Sequence, residues 1–374
     1  MIGAAVVGTG FIGVVHVEAL RRLGIDVVGV VGSSPERARQ KPGLPEPFES
    51  FEAMLADERV RVVHLTTPNH LHYPQVKQVL AAGKHVVCEK PLALTSRESG
   101  ELLQLAQASG LVHCTNYNIR FYAQCREARE RVLRGDLGPV HAVHGGYCQD
   151  WLLLPTDWNW RVDPEQGGTL RAVADIGTHW LDLAGFVTGK RVASVFADLH
   201  TVHATRQVPV GPVETFGGGD AGERVDRAIS TEDLAHILLR YDDGSRGSLV
   251  VSQVAAGRKN RLTFELDGAR SSLAWDSEQP EELWAGHRGA ANEILLRDPS
   301  LLAVPASTDY PGGHAEGFPD TFKHLYRAVY RAVEDGGMPA EPEFPTFADG
   351  HEEILLGEAI ARSAREERWV EVER

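Results

Sequence analysis

Short apolar runs alternate with segments of helical period over the first 118 residues. Ile2 to Val7, Val27 to Val31, 60–65 (VRVVHL), 85–88 (HVVC) and 111–116 (LVHCTN) read as strands. Between them, Ile12 to Leu23, a segment from Pro35, Leu71 to Ala82 and 98–109 carry helical spacing, with Gly24 and Gly83 as stops. The strands are nearly continuous in apolar residues instead of alternating. That pattern predicts a parallel sheet covered by helices on both faces.

Beyond residue 120 the pattern changes. A helix over 122–134 ends in RGDLGPV, and strands then dominate at 139–147, 191–200, 231–241, 245–254, 261–267 and 271–275. Turns such as YDDGS at 241–245 and DGARS at 267–271 predict hairpins. The stretch 204–230, with FGGGDAGE, reads as a polar, glycine-rich insertion, and 317–334 and 350–365 read as late helices. The expectation is an α/β chain in two domains. Residues 1–120 form a domain on a parallel sheet, and residues 121–374 form an α+β domain with a mostly antiparallel sheet.

Composition narrows the class. The 374 residues are 43 % hydrophobic and 24 % charged, as in ordinary globular proteins, and suffice for two cores. A formal net charge of -14 argues against a nucleic acid or an anionic membrane as partner. No apolar run reaches the roughly 18 residues of a membrane span. The start, MIGAAVVGTG, lacks a basic segment, so no signal peptide is expected. Four scattered cysteines, Cys88, Cys114, Cys125 and Cys148, suit a reducing, cytoplasmic setting.

GTGFIG, with Gly8, Gly10 and Gly13, follows the first strand directly and opens a helix through Phe11 and Ile12. Such a turn brings backbone N–H groups and a helix N-terminus to a pyrophosphate. The second strand lacks the usual terminal carboxylate for the ribose. It ends at Gly32, Ser33 and Ser34, with Arg37 nearby. Hydroxyls and a guanidinium suit a 2′-phosphate, which leans the cofactor toward NADP, with NAD or dual use open. Ser33 and Ser34 can equally cap the next helix.

Three strings carry the chemistry. In TTPNHLHYPQV, at a strand end, Thr67, Pro68, Asn69 and His72 are candidates to face the cofactor, or to form a capped polar loop. In CEKPLAL, Glu89 and Lys90 follow a buried strand, and a lysine in that setting can carry a proton. In ADIGTHWLD, Asp175, His179 and Asp182 are spaced to share one helix face. No second cluster completes a coordination sphere, so no metal is expected.

GTGFIG, TPNHLH, EKP and DIGTHWLD, in that order, resemble the Gfo/Idh/MocA oxidoreductase family of sugar and inositol dehydrogenases, and the similarity extends to the closing EAIARSAREERWVEV. The resemblance implies a Rossmann domain and makes Lys90, Asp175 and His179 the catalytic group, with Arg120 near the cofactor. It departs from many inositol-oxidising members at Gly32 to Ser34, where they carry an aspartate. Trp158 and Arg161, in the aromatic stretch 149–168, are candidates to line the sugar pocket, or to pack in the core. GRKNRL at 257–262 and the loop bearing His314 are further candidates.

The activity implied is reversible hydride transfer between a nicotinamide and a secondary alcohol of a sugar, glycoside or polyol, with Lys90 and His179 exchanging the proton. Two alternatives stay open: redox-neutral use of a bound nicotinamide for elimination or glycoside cleavage, and a non-catalytic nicotinamide-binding regulator. An open sheet face suggests, by analogy, a homodimer or homotetramer.

Overall fold

The computed structural model describes residues 2–210 and 222–374. These residues form two compact units, Met1–Asn118 with Pro319–Ile354, and Ile119–Phe318 with Leu355–Arg374. The chain therefore returns to the first unit after completing most of the second. Residues 319–354, expected in the second domain, pack with the first, and Arg120 falls in the second unit.

The first unit holds five parallel strands: β1 (Gly3–Val7), β2 (Asp26–Val31), β3 (Val60–Leu65), β4 (His85–Cys88) and β5 (His113–Thr115). Their order is β2-β1-β3-β4-β5, so the direction of winding reverses between β1 and β3. Ligands of such sheets bind at the carboxyl ends of strands beside that switch. Both faces are covered, which is why Val6, Val62, Val63, Val86 and Val87 are all buried. The helix Phe11–Arg22 follows β1, and a short helix Phe51–Ala56, not foreseen, is capped by Ser50 Oγ accepting from Ala53 N at 3.1 Å.

The return segment 319–354 is tied into this sheet by polar contacts. Thr115 Oγ1 donates to the Thr346 carbonyl at 3.1 Å, and Phe347 N donates to His113 Nδ1 at 3.2 Å. That last bond needs a neutral imidazole, and burial pushes His113 down to about 4. The long helix Phe347–Glu366 contains the 354/355 boundary.

The second unit is built on nine strands in the order β15-β14-β13-β12-β6-β11-β10-β7-β16. They are β6 (Val140–Cys148), β7 (Val192–His200), β10 (Leu234–Tyr241), β11 (Arg246–Ser252), β12 (Arg261–Gly268), β13 (Ser271–Asp276), β14 (Glu282–His287), β15 (Glu293–Leu296) and β16 (Val370–Glu371). Neighbours are antiparallel except β6 and β11, so the expected mostly antiparallel sheet is present. Both hairpin turns, 241–245 and 267–271, lie where expected. Alternation decides the packing. On β10, Ala235, Ile237, Leu239 and Tyr241 are buried, whereas His236, Leu238 and Arg240 are exposed. The buried face meets Trp180, Leu183 and Val187 of the helix Thr178–Thr188. Strands β14 and β15 widen the sheet beyond the six that the sequence marks. The glycine-rich insertion has paired ends, β8 (Thr205–Pro209) and β9 (Arg224–Ala228), while residues 211–221, with most of FGGGDAGE, lie outside the described residues.

His113 yields a stability prediction. Its folded-state pKa lies below the ordinary 6.5, so the unfolded chain takes up the proton first as pH falls. Its contribution is complete above pH 6.5 and declines as pH drops toward 4, by about 3 kcal/mol in all. Urea unfolding of His113→Asn, whose amide oxygen can still accept from Phe347 N, should show a shallower loss between pH 6.5 and 4. A slope equal to that of the wild type would contradict the assignment.

Candidate active site

The glycine turn has the geometry of a phosphate cradle. Gly8 sits at φ +109°, and a Cβ there would lie 2.5 Å from Thr66 Oγ1. A Cβ on Gly13 would lie 2.1 Å from the Gly8 carbonyl, so helix and strand approach at a distance only glycine permits. Around Gly10 the space is open to 4 Å. Tight, open and tight is the order that a backbone approach to pyrophosphate requires. Thr66, at the end of β3, donates to the Val7 carbonyl at 2.9 Å and fixes the turn across the switch. Ser34 Oγ accepts from Arg37 N and caps the helix Pro35–Arg39, while Ser33 and Arg37 are exposed.

Glu89 and Lys90 follow β4. The Glu89 carboxylate is 8 % exposed and faces a buried relay. Its Oε1 accepts from Asn116 Nδ2 at 2.5 Å and lies 3.1 Å from His16 Nε2. His16 Nδ1 lies 3.1 Å from His64 Nδ1, and His64 Nε2 lies 3.1 Å from the Tyr330 hydroxyl. Burial, with His16 alongside, pushes His64 well below the ordinary range, so its ring is neutral. One assignment satisfies every atom with neutral rings: Tyr330 O–H donates to His64, His64 Nδ1–H to His16, and His16 Nε2–H to Glu89. Glu89 Oε2 also accepts from Lys90 N at 3.3 Å. The Glu89 carboxylate is thus engaged with buried groups and also holds the backbone N–H of Lys90.

His72 is fully buried, with Nδ1 2.7 Å from the Pro91 carbonyl and Nε2 2.9 Å from the Thr67 carbonyl. Burial lowers its pKa and favours the neutral ring, whose one N–H donates to one of the two carbonyls, so the ring sits between the TTPN and EKP loops. Thr67 Oγ1 donates to Gln75 at 2.6 Å, and Asn69 is buried at the start of a short helical turn after Pro68.

In the second unit, Asp175 lies on a π-helical turn, Val173–Gly177, that precedes the helix bearing His179. The wider turn changes the angular spacing between Asp175 and the helix that bears His179 and Asp182. Asp175 Oδ1 accepts from Arg161 Nε at 3.0 Å and Oδ2 from Gln253 Nε2 at 2.7 Å. Arg161 also stacks over Trp160 at 4.4 Å, and Trp158 lies under Arg227. His179 is 8 % exposed and its ring centre is 6.2 Å from that of Tyr147. Asp182 instead pairs with Arg120, which donates through Nε at 2.8 Å and Nη2 at 2.5 Å. The same guanidinium covers the Phe186 ring. Arg120 thus belongs to an ion pair in the second unit.

Sequence reasoning missed His16, His64, Arg171, Gln253 and the carboxylates Glu232 and Asp233. A histidine inside the apolar run VRVVHL and the charges of STEDL at a strand start were the available signals. It also did not assemble His144, Glu265 and Asp267, whose ligand-type atoms lie within 4.8 Å of one another on β6 and β12.

Comparison with known proteins decides the family. Residues 2–117 match the oxidoreductase family with an NAD-binding Rossmann fold, and residues 125–274 match the GFO/IDH/MocA C-terminal domain. The chain belongs to the Gfo/Idh/MocA oxidoreductase family. Levoglucosan dehydrogenase of Pseudarthrobacter phenanthrenivorans is 28 % identical, over 99 % of this chain and 98 % of that protein. Myo-inositol 2-dehydrogenase of Thermotoga maritima is 23 % identical over 98 % of each. A levoglucosan dehydrogenase complex with NADH and L-sorbose superposes with a TM-score of 0.89 at 26 % identity, covering 100 % of this chain and 99 % of that one. As a member of the Gfo/Idh/MocA family, the chain carries its nicotinamide dinucleotide on the first unit, and the open space at Gly10 fits that group.

Two glycine substitutions separate cofactor binding from folding. Gly10→Ala places a methyl in open space, so thermal unfolding should stay within a few degrees of the wild type while NADH affinity falls about 30-fold or more, because the backbone can no longer approach the pyrophosphate. Gly13→Ala meets a carbonyl and should lower both the melting temperature and the affinity. Unchanged NADH titration by Gly10→Ala would remove the turn from the cofactor site.

Proposed function

We propose that this oxidoreductase is an NAD(P)-dependent dehydrogenase of a secondary alcohol on a sugar, glycoside or inositol-like polyol. The observation that carries the reading is full-length similarity to levoglucosan dehydrogenase, together with a Lys90 held after β4 and an Asp175 bonded to Arg161. When bound, the nicotinamide accepts the hydride from the alcohol carbon or returns it.

Lys90 donates a hydrogen bond to the reacting oxygen and steadies the charge it gains. His179 takes the hydroxyl proton and gives it back in the reverse direction, and the two residues can exchange these parts. Asp175, already an acceptor for Arg161, orients His179 or takes a neighbouring substrate hydroxyl. Arg161 and Trp158 contribute to substrate binding. Thr67, Pro68 and Asn69 border the nicotinamide, and Phe11 and Ile12 supply backbone N–H groups at the helix start. In this reading Ser33 and Arg37 take a 2′-phosphate, so NADP serves at least as well as NAD. The enzyme works in the cytoplasm as a homodimer or homotetramer.

Lys90→Ala and His179→Ala should each lower turnover about 100- to 10,000-fold with little change in NADH affinity. Near-normal turnover by both would overturn the assignment. Ser33→Asp sets a carboxylate against the 2′-phosphate and should cut kcat/KM for NADP about 100-fold while sparing NAD. A wild type that discriminates strongly against NADP, with Ser33→Asp unchanged, would contradict the cofactor reading.

A further inference from the structure

Behind Asp175 stands a buried polar chain that the reaction scheme leaves unused. Gln253 follows β11 and is fully buried. Its Oε1 accepts from Arg171 Nη1 at 2.8 Å, and its Nε2 donates to Asp175 Oδ2 at 2.7 Å. Arg171 has no accepting atom, so the end of the amide that faces it is the oxygen. The end that faces Asp175 is therefore the NH2 group. The guanidinium thus dictates the orientation of the amide.

Arg171 is itself immobilised. Its Nη2 bonds Asp233 Oδ1, which also accepts from Arg206 Nη2 at 2.6 Å. Arg206 is fully buried and donates to the carbonyls of Leu152 at 3.0 Å and Leu154 at 2.9 Å. Glu232 Oε1 accepts from the backbone N–H groups of Arg171 and Val173, both at 2.9 Å, and so fixes the start of the π turn. Arg171 and Arg206 both pair with Asp233, and buried charges persist where they are paired in this way.

We propose that Gln253, oriented by Arg171, is a positioning residue that holds Asp175 as a fixed, ionised carboxylate ready to accept. The proposal rests on the part given to Asp175 above. An amide donor and the Arg161 guanidinium both favour the ionised form. The other groups around Asp175 are Arg171 behind the amide, Tyr147 on β6, His179 on the following helix, Asp233 paired with Arg171, and Glu232, which burial pushes up.

The test follows the carboxyl carbons of aspartate-labelled protein by 13C NMR across pH, with Asp175→Asn identifying the resonance. In the wild type Asp175 should titrate below an unpaired aspartate. Gln253→Met removes the donor and should raise that titration by about one pH unit. Gln253→Glu lets the new carboxylate pair with Arg171 but turns like charge on Asp175, and should raise it further. Should Gln253→Met fail to fold, the Gln253→Glu titration decides alone, since it keeps Arg171 paired. Identical titrations in the wild type and the folded variants would overturn the proposal. Turnover of Asp175→Asn on levoglucosan and myo-inositol separates the two layers. Loss of turnover with the Asp175 titration unmoved in the Gln253 variants sinks the positioning role alone, and full turnover by Asp175→Asn sinks the part given to Asp175.

Discussion

A buried carboxylate survives only with donors arranged around it, and Glu89 has them in His16 from the helix after the glycine turn, Asn116 after β5 and the Lys90 backbone N–H. His64 on β3 meets His16 in turn, and Tyr330 of the return segment meets His64. Removing any one donor would leave a polar group in the core short of a partner, at a cost of roughly 1–3 kcal/mol. The relay therefore explains why residues 319–354 belong with the dinucleotide-binding sheet. It also explains how the turn that cradles phosphate and the residue that carries Lys90 are held in one rigid frame.

The second unit solves the corresponding problem with fixed charge. Arg171 and Arg206 are buried with Asp233 and pair with it, Glu232 accepts from the Arg171 and Val173 backbone, and the chain of bonds carries through Gln253 to Asp175. Asp175 lies on a π turn, and such turns recur at functional sites. In both units an acidic residue is gripped by polar groups hidden within the core.

Much of this was legible in the sequence where periodicity or glycine speaks. The apolar runs of β1 to β5, the hairpins at 241–245 and 267–271 and the turn at Gly8 to Gly13 all follow from local pattern. The partners of polar residues did not. His16 and Glu89 lie 73 positions apart, and Gln253 and Asp175 lie 78 apart, so no spacing rule joins them. The protein partners of His72 and Arg120, which are the carbonyls of Thr67 and Pro91 and the carboxylate of Asp182, are equally beyond any spacing rule. The π turn at Val173–Gly177 is likewise not written in hydrophobic period. The domain boundary was half legible. The change of pattern near 120 marks the first crossing, but the return helix shows only ordinary amphipathic spacing.

The central claim is a net transfer of hydride from a carbinol carbon to the nicotinamide. It is tested most directly by incubating the enzyme with NAD or NADP and carbon-deuterated levoglucosan or myo-inositol, then measuring label in the recovered cofactor. The account predicts reduced cofactor that carries one deuterium at the nicotinamide ring, formed in step with oxidised sugar or polyol. Substrate consumed with no accumulation of labelled, reduced cofactor would contradict it.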